Sequence, residues 1–133
     1  MSSTEVEGAY KPVGYSTVSP YLVVDGASRT TEFLKRVFGA AEIRRIANPD
    51  GTLMHAEVRI DDTVIMLADG VEGWPPLPAH VHVYVEDVDV AYGRAMAAGA
   101  VSVQEPVKKE DPDKRGGVRG PGGITWWIAT KIE

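Results

Sequence analysis

Cysteine is absent from the 133 residues of this chain. The absence excludes disulfide bonds, thiolate metal ligands and a cysteine nucleophile, and it fits a reducing compartment, so a cytoplasmic location is expected. The N-terminal Met-Ser-Ser-Thr-Glu has neither a basic start nor an apolar stretch, and no signal peptide is expected. No apolar run approaches the length of a membrane span, so no membrane partner is expected either.

Positive charge is also scarce. The chain has 14 Lys and Arg against 19 Asp and Glu, which gives a formal net charge of −5. The few basic residues are scattered rather than gathered on one stretch, which argues against a nucleic-acid partner. Apolar residues make up 44% and charged residues 25%, values usual for a folded globular protein. The length predicts a single domain spanning residues 1–133.

The pattern of apolar and turn residues predicts the order strand, helix, strand, strand, strand, and then predicts it again. In the first module, residues 18–70, strands are expected at 18–24, 42–46, 53–60 and 63–68, with a helix at 27–38 that Ser28 caps and Gly39 ends. A linker rich in Gly and Pro follows. In the second module, residues 79–131, strands are expected at 80–85, 102–107, 116–119 and 124–130, with a helix at 87–98.

The two halves align with few gaps. Val24-Asp25-Gly26 falls on Val85-Glu86-Asp87, and the segment 63–68 falls on 124–129, both 61 positions later. Such a recurring shift indicates a duplication. One helix can cover only one face of a four-stranded sheet, so the other faces must bury each other or line a cavity. The sequence therefore predicts an α+β fold of two tandem β-α-β-β-β modules, with curled mixed sheets around a shared small-molecule cavity.

Strand parity predicts which side chains face that cavity and which pack under the helices. In the third predicted strand, Met54, Ala56, Val58 and Ile60 are expected on one face, with His55, Glu57 and Arg59 on the other. The cavity lining predicted from the first and last strands of each module is Ser19, Tyr21, Val23, Val64, Met66, Ala68, His80, His82, Tyr84, Thr125, Trp127 and Ala129. The residues expected under the helices are Leu22, Val24, Ile65, Leu67, Val83, Val85, Trp126 and Ile128.

Six segments carry a resemblance to a known family. They are Pro20-Tyr21-Leu22 through the helix to Gly39-Ala40, Met54–Ile60 with Met66-Leu67-Ala68-Asp69, Val83–Asp89, Arg115–Arg119, and Trp126–Thr130. On these residues the chain resembles the vicinal-oxygen-chelate superfamily, also called the glyoxalase/bleomycin-resistance/dioxygenase superfamily, and within it the PhnB-like group. The resemblance implies the duplicated fold and a homodimer. It leaves the function open, because the superfamily includes enzymes and binding proteins.

The metal enzymes of that family place one ligand on the first and last strand of each module. The resemblance carries these positions onto Ser19, Met66, His80 and Trp127, of which only His80 is a competent ligand. It therefore implies a site that has lost its metal, and no metal and no cofactor are expected. An alternative shell drawn from His80, His82, His55 and Glu57 stays open, as does an acid/base pair of Glu57 with His80.

The residues expected to contact a ligand are Ser19, Tyr21, His55, Glu57, Met66, His80, His82, Tyr84, Arg115 and Trp127. Rings and a thioether suit an aromatic or partly apolar ligand, the acidic balance favours a cationic one, and Arg115 with Arg119 could clamp an anionic group. The first hypothesis is metal-independent binding of a small molecule, such as sequestration of a drug or toxin. The alternatives are a metal-dependent lyase or dioxygenase-type enzyme with an atypical ligand set, and a domain without ligand chemistry.

Overall fold

The computed structural model of the protein describes residues 10–133. Within that range the chain forms eight strands, two α-helices and one turn of 3-10 helix at Pro121–Gly123. In chain order the strands and α-helices are β1 Tyr21–Val24, α1 Ala27–Phe38, β2 Ala41–Ala47, β3 Leu53–Ile60, β4 Thr63–Asp69, β5 Ala79–Tyr84, α2 Val88–Ala97, β6 Val101–Lys108, β7 Asp113–Arg119 and β8 Ile124–Lys131.

These strands form two open four-stranded sheets with the same topology. The order is β1-β4-β3-β2 in the first sheet and β5-β8-β7-β6 in the second. In each sheet the first and last strands of the module run parallel, and the other neighbours run antiparallel. The predicted pair of β-α-β-β-β modules is confirmed. Neither sheet closes into a barrel, so each presents one face to its helix and one face away from it.

A single core joins the two modules. The two helices pack against each other and against their sheets, and one apolar cluster contains residues of both halves. The predicted inward residues Leu22, Val24, Ile65, Leu67, Val83, Trp126 and Ile128 are all buried there, and Val85 is half-buried against the cluster. Burial of this continuous apolar surface is the main favourable term that holds the modules together.

The helix α1 begins without a cap from its own sequence. Gly26, at the N-cap position, has φ 96°, a left-handed conformation that favours glycine. Asp69, at the end of β4, supplies the missing acceptor, because its Oδ1 accepts from the backbone N–H groups of Gly26 and Ala27 at 2.9 Å each. The expectation that Ser28 caps this helix is wrong, since Ser28 lies inside it and accepts instead from Arg45. At the other end Gly39 is left-handed, as expected for a residue that ends a helix.

The parity predicted for the start of β3 is also wrong, and a β-bulge explains why. Ile46 of β2 pairs with His55, but the next residue, Ala47, pairs with Leu53, so Met54 is an extra residue. The bulge turns Leu53 into the core, where only 1% of it is exposed, and leaves Met54 on the outer face. From Ala56 onward the predicted alternation is regained, with Ala56 and Val58 fully buried.

Candidate functional site

An open groove of about 910 Å³ lies on the outer face of the first sheet, beside the linker that follows β4. Strands β1 and β4 provide Tyr21, Val23 and Ala68, and the bulge in β3 adds Met54. The linker forms the facing wall with Trp74 and Leu77, among other residues. A turn closed by backbone hydrogen bonds between Val71 and Trp74 holds this wall in place.

The walls of the groove expose large apolar side chains. The exposed fractions are 51% for Tyr21, 56% for Met54, 68% for Trp74 and 65% for Leu77. Large apolar side chains that stand exposed together mark surfaces that bind something, whereas single exposed ones are ordinary. The groove thus offers an aromatic ring, an indole and a flexible thioether to a partly apolar molecule.

The first sheet also carries a buried carboxylate, which lies outside the lining of the groove. Glu57 of β3 is only 4% exposed, and its two oxygens accept from different donors. Tyr15 donates its hydroxyl to Oε1 at 2.5 Å, and Nε2 of His55 is 2.8 Å from Oε2. Burial alone raises the pKa of Glu57, but the hydrogen bonds from Tyr15 and His55 outweigh it and hold the pKa below its usual value. Glu57 is therefore an anion with both oxygens satisfied by protein groups.

The same chain of hydrogen bonds continues towards the groove. Nδ1 of His55 lies 3.4 Å from the hydroxyl of Tyr21, and the two rings are tilted with centroids 5.8 Å apart. Three predicted site residues, Tyr21, His55 and Glu57, thus come together in one network on the first sheet. Tyr15 completes it, and its pKa is raised because its hydroxyl donates to the Glu57 carboxylate.

The second sheet carries its own row of rings on the outer face. His80 and Trp127 stack nearly parallel with centroids 6.2 Å apart, and Nε1–H of Trp127 donates to Nδ1 of His80 at 3.0 Å. His82 and Tyr84 meet edge to face at 4.8 Å. The shared face predicted for these four residues by strand parity is what the structure has. None of them lines the large groove, which belongs to the first module and the linker.

Arg115 lies among acidic partners in the second sheet. Its guanidinium donates to Asp111 at 2.9 Å and to the buried Asp113 at 2.8 Å, while its Nε–H donates to Nε2 of His82 at 3.1 Å. Tyr84 donates to the same Asp113 at 2.7 Å. Burial, together with the nearby guanidinium, lowers the pKa of His82. An anionic ligand at Arg115 would have to displace carboxylates already bound, so the structure offers no support for an anion clamp there.

The four positions carried over from the family's metal enzymes do not fit a metal centre. The Ser19 hydroxyl pairs with that of Ser16 at 3.0 Å, Met66 offers a thioether, and the Trp127 indole nitrogen is a donor that bonds His80. Over residues 10–133, no three His, Cys, Asp or Glu side chains lie close enough to hold a metal ion. The alternative shell of His80, His82, His55 and Glu57 therefore does not come together.

The predicted acid/base pair of Glu57 with His80 is likewise not formed. Glu57 bonds Tyr15 and His55, whereas His80 bonds Trp127.

A smaller cleft of about 340 Å³ at the junction of the modules contains Pro20, Ile65 and His82, among others. Sequence reasoning missed the groove residues Met54, Trp74 and Leu77. The one available signal was Trp74-Pro75-Pro76, a large apolar side chain in a stiff linker.

Comparison with known proteins agrees with this geometry. The family model described as Glyoxalase/Bleomycin resistance protein/Dioxygenase superfamily matches residues 15–128. Two mycobacterial proteins, described only as uncharacterized protein Mb0911c of Mycobacterium bovis and uncharacterized protein Rv0887c of Mycobacterium tuberculosis, are each 36% identical over 127 residues. The alignment covers 87% of this chain in both cases, with 84% of the first relative and 75% of the second.

Solved structures show the same fold. TioX from Micromonospora sp. ML1 superposes with a TM-score of 0.73 and 27% identity, over 88% of this chain and 99% of TioX. TnmS3, an antibiotic binding protein from Streptomyces sp. CB03234, superposes with a TM-score of 0.66 and 17% identity, over 88% of this chain and 99% of TnmS3. Membership of the PhnB-like group stays a prediction. No helix within residues 10–133 is both long and apolar enough to cross a membrane.

Proposed function

The chain belongs to the Glyoxalase/Bleomycin resistance protein/Dioxygenase superfamily, and from that premise we propose that it is a metal-independent binding protein for a flat, largely apolar small molecule. The observation that carries the proposal is the groove of about 910 Å³, with its exposed Tyr21, Met54, Trp74 and Leu77. Pockets that bind small molecules are concave, mostly apolar and furnished with a few placed polar groups. The groove has that composition, with Asp69 and Asn48 at its margin.

The chemistry of the side chains supports binding over metal-dependent turnover. Of the four positions that would hold a metal, three carry a hydroxyl, a thioether and an indole, and only His80 is a competent ligand. An aromatic ligand follows from the rings of the groove, while a cationic one is supported only by the net charge of −5. The antibiotic binding protein TnmS3 shares the fold, and sequestration of a toxic compound is the role we propose here. A cytoplasmic location belongs to the same proposal and is supported by the cysteine-free sequence.

A homodimer is the second part of the proposal. Each open sheet leaves its outer face uncovered in the single chain, and the groove has only the linker as its second wall. A second copy of the chain would cover the sheet faces and supply a further wall around the groove, with the ligand space kept between them. Size-exclusion chromatography with light scattering should give twice the monomer mass of 14.4 kDa. A monomeric mass at high protein concentration would refute the homodimer, and the proposal that the groove binds a small molecule would still stand.

The test of binding uses a dye and a matched pair of variants. The fluorescent probe 8-anilino-1-naphthalenesulfonate should bind wild-type protein and be displaced by aromatic compounds. Met54→Ala should weaken binding several-fold because it removes part of the wall. Val101→Ala is the control, since Val101 is similarly exposed, at 59%, but lies on β6 of the other sheet. Equal loss in both variants, or no binding by wild type, would overturn the proposal.

A further inference from the structure

We infer that Tyr21 and His55 form a hydroxyl-recognition pair, so that the ligand of the groove is an aromatic molecule bearing a free hydroxyl group, such as a phenol. The inference rests on the proposed function, because it names the ligand class for the same groove. It is drawn from the order of donors and acceptors in the network of Tyr15, Glu57, His55 and Tyr21.

The buried carboxylate fixes which nitrogen of His55 carries the proton. Glu57 is an acceptor at both oxygens, so Nε2 of His55, at 2.8 Å, must be the donor. A neutral imidazole that is protonated at Nε2 has its lone pair on Nδ1. The hydroxyl of Tyr15 occupies the other oxygen of Glu57 and keeps the carboxylate from turning. In its neutral form, His55 therefore presents Nδ1 as a hydrogen-bond acceptor in the direction of Tyr21.

The contact between that acceptor and Tyr21 is loose. The distance from Nδ1 to the Tyr21 hydroxyl is 3.4 Å, beyond the roughly 2.5–3.2 Å of ordinary protein hydrogen bonds. The Tyr21 side chain is half exposed and lines the groove, so its hydroxyl can turn to another partner. An acceptor and a mobile hydroxyl side by side match a group that both donates and accepts. A ligand hydroxyl does both, donating to Nδ1 and accepting from Tyr21.

The surroundings of Tyr21 and His55 favour a ligand that can donate a hydrogen bond over one that cannot. The groove walls near Tyr21 are apolar, with Val23, Met54 and Ala68 beside it. The nearby carboxylate of Asp69 is already bonded to three backbone N–H groups, those of Gly26, Ala27 and Leu53. A ligand that cannot donate leaves Nδ1 of His55 with only its 3.4 Å contact to Tyr21, and a hydrogen bond forgone in this way costs more in an apolar site than in water.

The experiment compares two probes with the same ring system, 2-naphthol and 2-methoxynaphthalene, by isothermal titration calorimetry at pH 8.0 on the full chain. Only the first can donate a hydrogen bond. Wild-type protein should bind 2-naphthol about three- to tenfold more tightly, the range expected for one net hydrogen bond. His55→Phe, which keeps an aromatic ring, should erase that preference. Because this variant also leaves Oε2 of the buried Glu57 without its donor, a second variant, Tyr21→Phe, is needed, and it should reduce the preference without touching the core.

The outcomes separate the two proposals. Met54→Ala should weaken both probes alike and keep their ratio, because it changes only the apolar wall. If wild type binds both probes with equal affinity, the hydroxyl pair is refuted and the binding groove stands. If the preference persists in both His55→Phe and Tyr21→Phe, the hydroxyl is read elsewhere and the inference is wrong. If neither probe binds wild type, the groove itself is refuted as a site for flat apolar molecules.

Discussion

Replacement of Asp69 by alanine should be among the most damaging single changes outside the apolar core. Oδ1 of Asp69 accepts from Gly26 and Ala27 at the start of α1, and Oδ2 accepts from Leu53 at 2.7 Å. Loss of an N-terminal cap costs about 1 kcal/mol. A backbone N–H left without a partner in a partly buried place adds about 1–3 kcal/mol. We expect Asp69→Ala to lower the free energy of unfolding by about 3 kcal/mol in urea titrations.

Two further variants make the reasoning testable. Asp69→Asn keeps one carbonyl oxygen for the helix but places an amide N–H₂ against the N–H of Leu53, so it should cost roughly half as much. Asp25→Ala removes the same charge beside the same helix without removing the cap, and its effect should stay within about 0.5 kcal/mol. All proteins must be compared at one concentration, because a dimer adds to apparent stability. If Asp69→Ala unfolds no more easily than Asp25→Ala, Asp69 does not stabilise this junction.

The same carboxylate gives a pH dependence with a definite sign. Burial raises the pKa of Asp69, but the three backbone N–H groups outweigh burial and hold the folded-state pKa below its usual value. A depressed folded pKa means that the stabilisation is complete above the unfolded Asp value of about 3.9 and is lost as the pH falls through the folded value. The gap between wild type and Asp69→Ala should therefore be constant from pH 7 to pH 5 and shrink below pH 4. A gap that stays unchanged down to pH 2 would contradict the assignment.

Two more pairs of variants test the packing around the site. Leu53→Ala should cost about 2–5 kcal/mol and Met54→Ala under about 0.5 kcal/mol in urea unfolding, the reverse of what strict alternation predicts; similar costs would refute the bulge. Gly117→Ala should cost about 1–3 kcal/mol, because a Cβ there would lie 2.6 Å from Cζ3 of Trp127, whereas Gly93→Ala, with open space in α2, should stabilise by about 0.5–1 kcal/mol. Unfolding curves of equal midpoint for the two glycine variants would show that Trp127 moves aside freely.

The architecture was predictable because it depends on features that repeat along the chain. The apolar and turn patterns occur twice, and each requires a sheet with one covered face, so the two modules and most inward residues followed from the sequence. The cap of α1 could not be predicted in the same way. Asp69 lies over 40 residues from Gly26 in the sequence, so no pattern near the helix indicates that it provides the cap. Ser28 is a residue type that caps helices well and lies close by, so the local sequence favours it instead.

The bulge at Met54 escaped prediction for a related reason. Strict alternation of side chains can be applied to the whole of Leu53–Ile60 without an irregular position. Only the pairing with β2 shows that Met54 is the extra residue. The consequence reaches the site, since the bulge exchanges Leu53 for Met54 on the groove face. Likewise, Asp111 and Asp113 reach Arg115 because of the turn before β7, and β7 begins at Asp113, three residues before the strand predicted at 116–119.

The duplication also explains why the recognition pair belongs to the first module. Tyr21 in the first module is equivalent to His82 in the second. Tyr21 pairs with Met66 of β4, and His82 pairs with Trp127 at the same place in β8. The residue across from Met66 is Glu57, and the residue across from Trp127 is Gly117, so the indole fills the space that the carboxylate occupies in the first sheet.

His55 stands two residues before Glu57, and Arg115 stands two residues before Gly117. His55 contacts the ring of Tyr21, and Arg115 contacts the equivalent ring of His82. The geometry of the two pairs is thus shared, but their chemistry differs. Arg115 is a donor held by two carboxylates and has no lone pair to offer. His55 is held by one carboxylate through Nε2, and the neutral ring keeps Nδ1 as an acceptor. Of the two equivalent residues, Arg115 is already bonded to carboxylates, whereas His55 beside Tyr21 of the groove can still accept a hydrogen bond from a ligand.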